Sequence, residues 1–359
     1  MGNKATLAAY TFGHFSVDFS CFFLLFAGFA AQMPDLQATT LGFLLYNMLA
    51  FGLQPVFGSW CDARPRFPAA ALGCLLLLAA LACLPFAWPS LVLAGLGNAL
   101  FHVGGGIDSL AGANGRMARS GVFVSSGALG VALGTLAGQA GAALLWLPLA
   151  LTLLSLVGAG WAWRQASASK QTFNAFFGAA AAIPAAAVLA LCLASIIIRA
   201  YGGGLVPLPW RTTALLRVLP GAAAFLGKAV GGFLADALGA RTVGVVTLLL
   251  SIPLLFFSDM PAAAVLGLLL FNINMPITLC AVSSVLPESP GLSFGLTTLG
   301  LLLGTVPLFF FELPQGVVRP VVAVLTGLSA LGLLLAVKNQ NRHKISALRV
   351  PQNESEVLL

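Results

Sequence analysis

Long apolar runs separated by short polar joints organise this chain. Twelve of them approach the length of a bilayer-spanning helix, which takes about 20 apolar residues. They cover residues 5–31, 39–60, 68–87, 90–112, 119–143, 145–163, 178–205, 212–235, 242–258, 261–286, 291–313 and 318–337. A membrane barrel would show short alternating segments instead. The pattern therefore predicts an all-α integral membrane protein with twelve transmembrane helices. The most polar interior stretch, Arg164 to Asn174, falls between the sixth and seventh runs. It divides the chain into a six-helix half (1–163), a linker (164–177), a second six-helix half (178–337) and a tail (338–359).

Composition adds that lipid is the solvent. The chain is 59% hydrophobic and 8% charged, against about 25% charged in a soluble domain. The net charge of +7 does not indicate a nucleic-acid partner, because its distribution is topological. With the N-terminus placed in the cytoplasm, twelve basic residues fall in cytoplasmic segments (Lys4, Arg64, Arg66, Arg116, Arg119, Arg164, Lys170, Arg241, Lys338, Arg342, Lys344 and Arg349). Only Arg211 and Arg319 fall opposite. This is the positive-inside bias, with both termini cytoplasmic. The first run is too long and too polar inside for a cleaved signal peptide. The six cysteines show no metal-type spacing and imply no disulfide framework.

Polar residues inside the runs are the candidate chemistry, because a charge at the bilayer centre is costly and marks function by default. Asp18 lies mid-way along the first run, with His14 one helical turn before it. His102 and Asn98 repeat that spacing in the fourth run. Asp18, His14 and His102 are candidate proton-coupling groups, since histidine titrates near neutral pH. Metal ligation at His102 would need convergent partners, and no metal or cofactor is assigned. Arg199, Arg217 and Lys228 are the basic counterpart, and they outnumber the acids of the central region. An anionic solute would restore the balance, so these three, with Asn98, Asn272 and Asn274, are candidate solute contacts. The alternatives are structural: snorkelling for Arg217, an acidic partner such as Asp18 for Lys228, and an outer ion pair to Glu312 for Arg199. No nucleophile–base pair or phosphate-binding loop is present, so the chain does not read as an enzyme.

One device occurs twice. Gly58 to Asp62 is followed by Arg64, and Gly232 to Asp236 by Arg241, offset by 174 positions (236 − 62). Two six-helix halves with G-x-x-x-D and a basic residue after the second and eighth runs resemble the major facilitator superfamily. Further residues resemble its fosmidomycin-resistance-type branch: His14 to Asp18, Phe101-His102, the glycines from Gly127 to Gly134, and Arg199 in the seventh run. The resemblance implies a cavity lined by helices 1, 4, 7 and 10. It also implies proton-driven efflux by alternating access, with Gly58, Asp62, Arg64, Gly232, Asp236 and Arg241 as a gating motif. Asp62 would cap helix 11 near Gly291, and Asp236 would cap helix 5 near Ser120. Thr135 stands where antiporters often carry proline, which leaves direction open. The expectation is a proton-coupled secondary transporter, monomeric, in a bacterial inner membrane, moving a small anionic or amphiphilic solute by antiport. The alternatives are organic-anion uptake by symport or facilitated diffusion, and a non-transporting sensor or lipid-interacting scaffold.

Overall fold

The computed structural model describes residues 4–64, 67–113, 115–168 and 180–339. Pro65, Arg66, most of the linker and the tail beyond Asn339 lie outside the described residues. Twelve apolar helical segments follow one another: α1 (Lys4–Gln32), α2 (Leu36–Asp62), α3 (Ala69–Ala82), α4 (Ala87–Ala111), α5 (Met117–Ala140), α6 (Trp146–Ala168), α7 (Ala185–Leu205), α8 (Ala214–Leu238), α9 (Ala240–Phe256), α10 (Pro261–Val285), α11 (Pro290–Phe309) and α12 (Gln315–Ala336). Ten are long and apolar enough to cross a bilayer, and α3 and α9 are shorter. The chain is a multi-pass membrane protein.

Local chemistry explains several ends. Asp35 caps α2 by accepting from the Ala38 N–H at 2.7 Å. Gly141, at φ +109°, ends α5 before residue 143, where the apolar run stops. Gly239, at φ +95°, turns α8 into α9, and the Asn339 side chain caps α9 by accepting from the Thr242 N–H at 3.1 Å. Helix α6 continues to Ala168, past the expected boundary at 163. Three helices are irregular. Wide π-helical turns interrupt α1 at Leu24–Phe29 and α2 at Met48–Gly52. Helix α10 breaks at residues 273–274, because Pro276 cannot donate to the Asn272 carbonyl.

In the first half, α1 packs on α5 and α6, and α3 on α4. In the second, α7 and α9 pack on α12, and α8 on α10. The halves meet chiefly along α5–α8 and α2–α11. Small residues allow backbones to approach within membranes, and α5 uses them in register. A Cβ at Gly130, Gly134 or Gly138 would strike the carbonyl of Phe15, Phe19 or Phe23 respectively. The four-residue repeat on α5 thus matches a four-residue repeat on α1.

Candidate functional site

Asp18 lies mid-way along α1 and is 7% exposed. Three side chains converge on it. His14, one turn earlier, places Nε2 3.3 Å from Oδ2. His102, from α4, places Nε2 3.5 Å from Oδ1. The Asn98 amide donates to Oδ1 at 3.0 Å. Asn98, expected among the solute contacts, is therefore engaged with the acid.

The other ring nitrogens decide the tautomers. His14 Nδ1 sits 2.8 Å from the Phe123 carbonyl, and His102 Nδ1 sits 2.9 Å from the Asn98 carbonyl. A carbonyl can only accept, so both Nδ1 atoms carry hydrogen. In a neutral imidazole Nε2 is then a bare lone pair. Both lone pairs face a carboxylate, an arrangement that favours a positive species between them. The two rings meet edge-on, with centroids 4.5 Å apart at 86°. Phe294, from α11 of the second half, lies 6.5 Å from the His102 ring and 5.9 Å from Phe123. The cluster thus spans α1, α4 and α5 and is covered from across the interface.

The basic residues separate. Arg199 on α7 is 7% exposed and donates Nη2 to Thr278 Oγ1 on α10 at 3.1 Å. Its Nε is buried without a hydrogen-bond partner among the described residues. The Glu312 pairing suggested by sequence is not formed; Glu312 is exposed beyond α11. Lys228 on α8 is partly buried, and its backbone carbonyl packs against Gly121 of α5. Arg217 is exposed towards the opposite end of α8, 3.4 Å from Gln139 Oε1.

The two asparagines at the break in α10 have separate partners. Asn272 donates back to the Leu268 carbonyl at 2.8 Å. Asn274 turns onto α9 and donates to Thr247 Oγ1 at 3.3 Å. Asn272 and Asn98 are related by the offset that relates the two motif acids (272 − 98 = 174).

The duplicated motif has a shared geometry. Asp62 accepts from the N–H groups of Gly291 and Leu292 at 2.8 and 2.9 Å. Asp236 accepts from Met117 and Ala118 at 2.9 and 3.0 Å. Each carboxylate meets the unpaired N–H groups and positive dipole of a helix in the other half. The second contact falls at Met117 rather than near Ser120, because α5 starts earlier than its apolar run. The motif glycines permit both contacts: a Cβ at Gly58 would strike the Gly291 carbonyl, and one at Gly232 the Met117 carbonyl. Arg64 lies over the Trp60 ring at 4.6 Å, and Arg241 is exposed.

Sequence reasoning passed over three participants. Thr278 receives Arg199. The Phe123 carbonyl sets the His14 tautomer, which no side-chain motif encodes. Tyr10 donates to Asp108, joining α1 to α4 nearer the end at which α1 begins. A helical spacing search from His14 finds Tyr10 one turn away, but not its partner.

Comparison with solved structures identifies the fold. The human organic anion transporter MFSD10 (TETRAN) superposes with TM-score 0.66 at 15% identity, covering 92% of this chain and 99% of that one. A variant of the E. coli fucose:proton symporter FucP gives 0.57 at 13% identity, over 92% and 96%. A bacterial homologue of the iron transporter ferroportin, outward-facing with soaked iron, gives 0.50 at 18% identity, over 92% and 96%. No protein-family model matches the sequence, and no curated protein matches it. The chain has the major facilitator fold.

Proposed function

We propose that this protein is a proton-coupled secondary active transporter that moves an anionic or amphiphilic solute by alternating access. The observation that carries the reading is the division of charge between the halves. The first holds a buried acid with two histidines, and the second holds Arg199 and Lys228, with the Arg199 Nε unpartnered among the described residues. Buried charges in a membrane protein pair or serve a pathway.

The geometry favours a particular coupling. Lys228 lies on α8 at its contact with α5, beside the half that holds Asp18. While Asp18 is charged, it offsets Lys228. Neutralising the acid releases that positive charge to an anion, so proton and anion bind best together, as in symport. Efflux by antiport is a second reading, favoured by His14 to Asp18 and Phe101-His102 as a fosmidomycin-resistance-type pattern. Two solved structures of the same fold are of a human organic anion transporter and a fucose:proton symporter, which accords with the first reading. The positive-inside bias puts the Asp62 and Asp236 contacts on the cytoplasmic side, where they hold the cavity closed. Proteoliposomes given pH gradients of both signs and a panel of organic anions test the reading. Symport predicts accumulation on the alkaline side, and antiport on the acidic side. Accumulation on neither side contradicts proton coupling.

A further inference from the structure

We propose that the central cluster is also a divalent transition-metal site, with His14 Nε2, His102 Nε2 and one Asp18 oxygen as ligands. This rests on the reading of Asp18 as the coupling group and adds a second cation that it can hold. The three ligand atoms lie within 4.8 Å of one another, all on buried residues. Tetrahedral zinc has ligand bonds of about 2.0–2.2 Å, which puts neighbouring ligands roughly 3.3–3.5 Å apart. The two nitrogen–oxygen separations here are 3.3 Å to Oδ2 and 3.5 Å to Oδ1, so each imidazole already stands at ligand spacing from one oxygen of the carboxylate, and a turn of the carboxylate brings a single oxygen to both.

The surroundings match a metal centre as closely as the ligands do. Metal-binding histidines commonly donate their other ring N–H to a backbone carbonyl, which fixes tautomer and orientation. Both histidines do so, to Phe123 and Asn98. The ligating carboxylate is usually hydrogen-bonded in turn, and Asn98 supplies that bond. Two imidazoles and one carboxylate suit zinc, cobalt or iron(II), whereas magnesium and calcium prefer oxygen ligands. Three protein ligands leave a coordination position open, as in exchangeable rather than closed sites. One divalent ion carries the charge of two protons. It can therefore replace a proton on each Nε2 without changing the net charge of the cluster, and metal and coupling protons compete for the same atoms.

The test uses purified full-length protein in detergent, without a histidine tag and stripped with chelator. Cobalt(II) is added while its visible d–d absorption is followed, and zinc(II) and magnesium(II) are then added as competitors. The proposal expects one saturable cobalt site whose spectrum shows nitrogen–oxygen ligation and is erased by zinc but not by magnesium. His102→Gln and Asp18→Asn should each weaken binding by roughly 10–100-fold or more, the range already seen for second-shell losses. His343→Gln, which removes the one other histidine of the chain, should leave binding intact. No saturable cobalt spectrum, a site that zinc does not compete for, or unchanged affinity in His102→Gln overturns the proposal. The wild-type spectrum and its competition decide the matter even if a variant fails to fold. Because binding is read without transport, failure of the metal site and failure of the transport reading are separate results.

Discussion

Gly127 on α5 faces the Asp18 carboxylate with no side chain between them. A Cβ at this position would strike both Asp18 Oδ2 and His14 Nε2. The neighbouring glycines Gly130 and Gly134 meet α1 backbone carbonyls, so their role is helix packing. Gly127 is the member of this series whose Cβ would strike the carboxylate and imidazole themselves, whereas Gly130 approaches Asp18 only at its Cβ, at 3.1 Å. Gly127→Ala should therefore displace Asp18 or His14 and reduce pH-driven transport at least tenfold. Gly130→Ala should instead lower thermal stability, because it pushes whole helices apart. Equal effects of the two substitutions on transport and melting temperature would contradict a special role for Gly127.

Asp62 and Asp236 predict a conformational effect. Each accepts two backbone hydrogen bonds across the halves, and a bond to a charged group contributes about 1.5–3 kcal/mol. Asp62→Ala should shift the population towards the form open on that side and raise the labelling rate of a cysteine introduced into the cavity there. Asp236→Ala should do the same through α5. Unchanged labelling in both variants would show that these bonds do not hold the closed state.

Lys228 and Arg199 predict charge selectivity. Lys228→Gln should weaken binding of an anionic solute far more than that of a neutral analogue. Truncating one partner of a buried charge pair costs roughly 2–5 kcal/mol, and the anion should lose about that. Arg199→Gln should act similarly, with an additional loss of the α7–α10 link through Thr278. Affinities of both ligands for each purified variant check this. A parallel loss for anion and neutral analogue would make the two cations structural.

Much of this architecture is legible in the sequence because lipid imposes simple demands. A span must be long and apolar, so the twelve runs stand out, and an acid such as Asp18 is conspicuous within one. The paired contacts between the halves are legible because Gly58 and Asp62 recur as Gly232 and Asp236. The convergence of His102 on Asp18 is less so. The two residues are 84 positions apart (102 − 18), and no local period records how α4 rotates against α1. Asn274 is likewise hard to place from sequence: its amide donates to Thr247 on α9, 27 positions away, and no local period records that contact. The ends of α5 and α11 shift by one to four residues because glycine and proline geometry, not hydropathy, sets where a helix stops.

The central claim is that Asp18 couples a proton gradient to solute movement. The direct measurement compares wild-type and Asp18→Asn protein in proteoliposomes, reading solute accumulation under an imposed pH gradient beside solute exchange without one. The amide keeps the shape of the site and removes its charge. The account predicts that accumulation is abolished while exchange persists in part. Accumulation by Asp18→Asn at the wild-type level would contradict it.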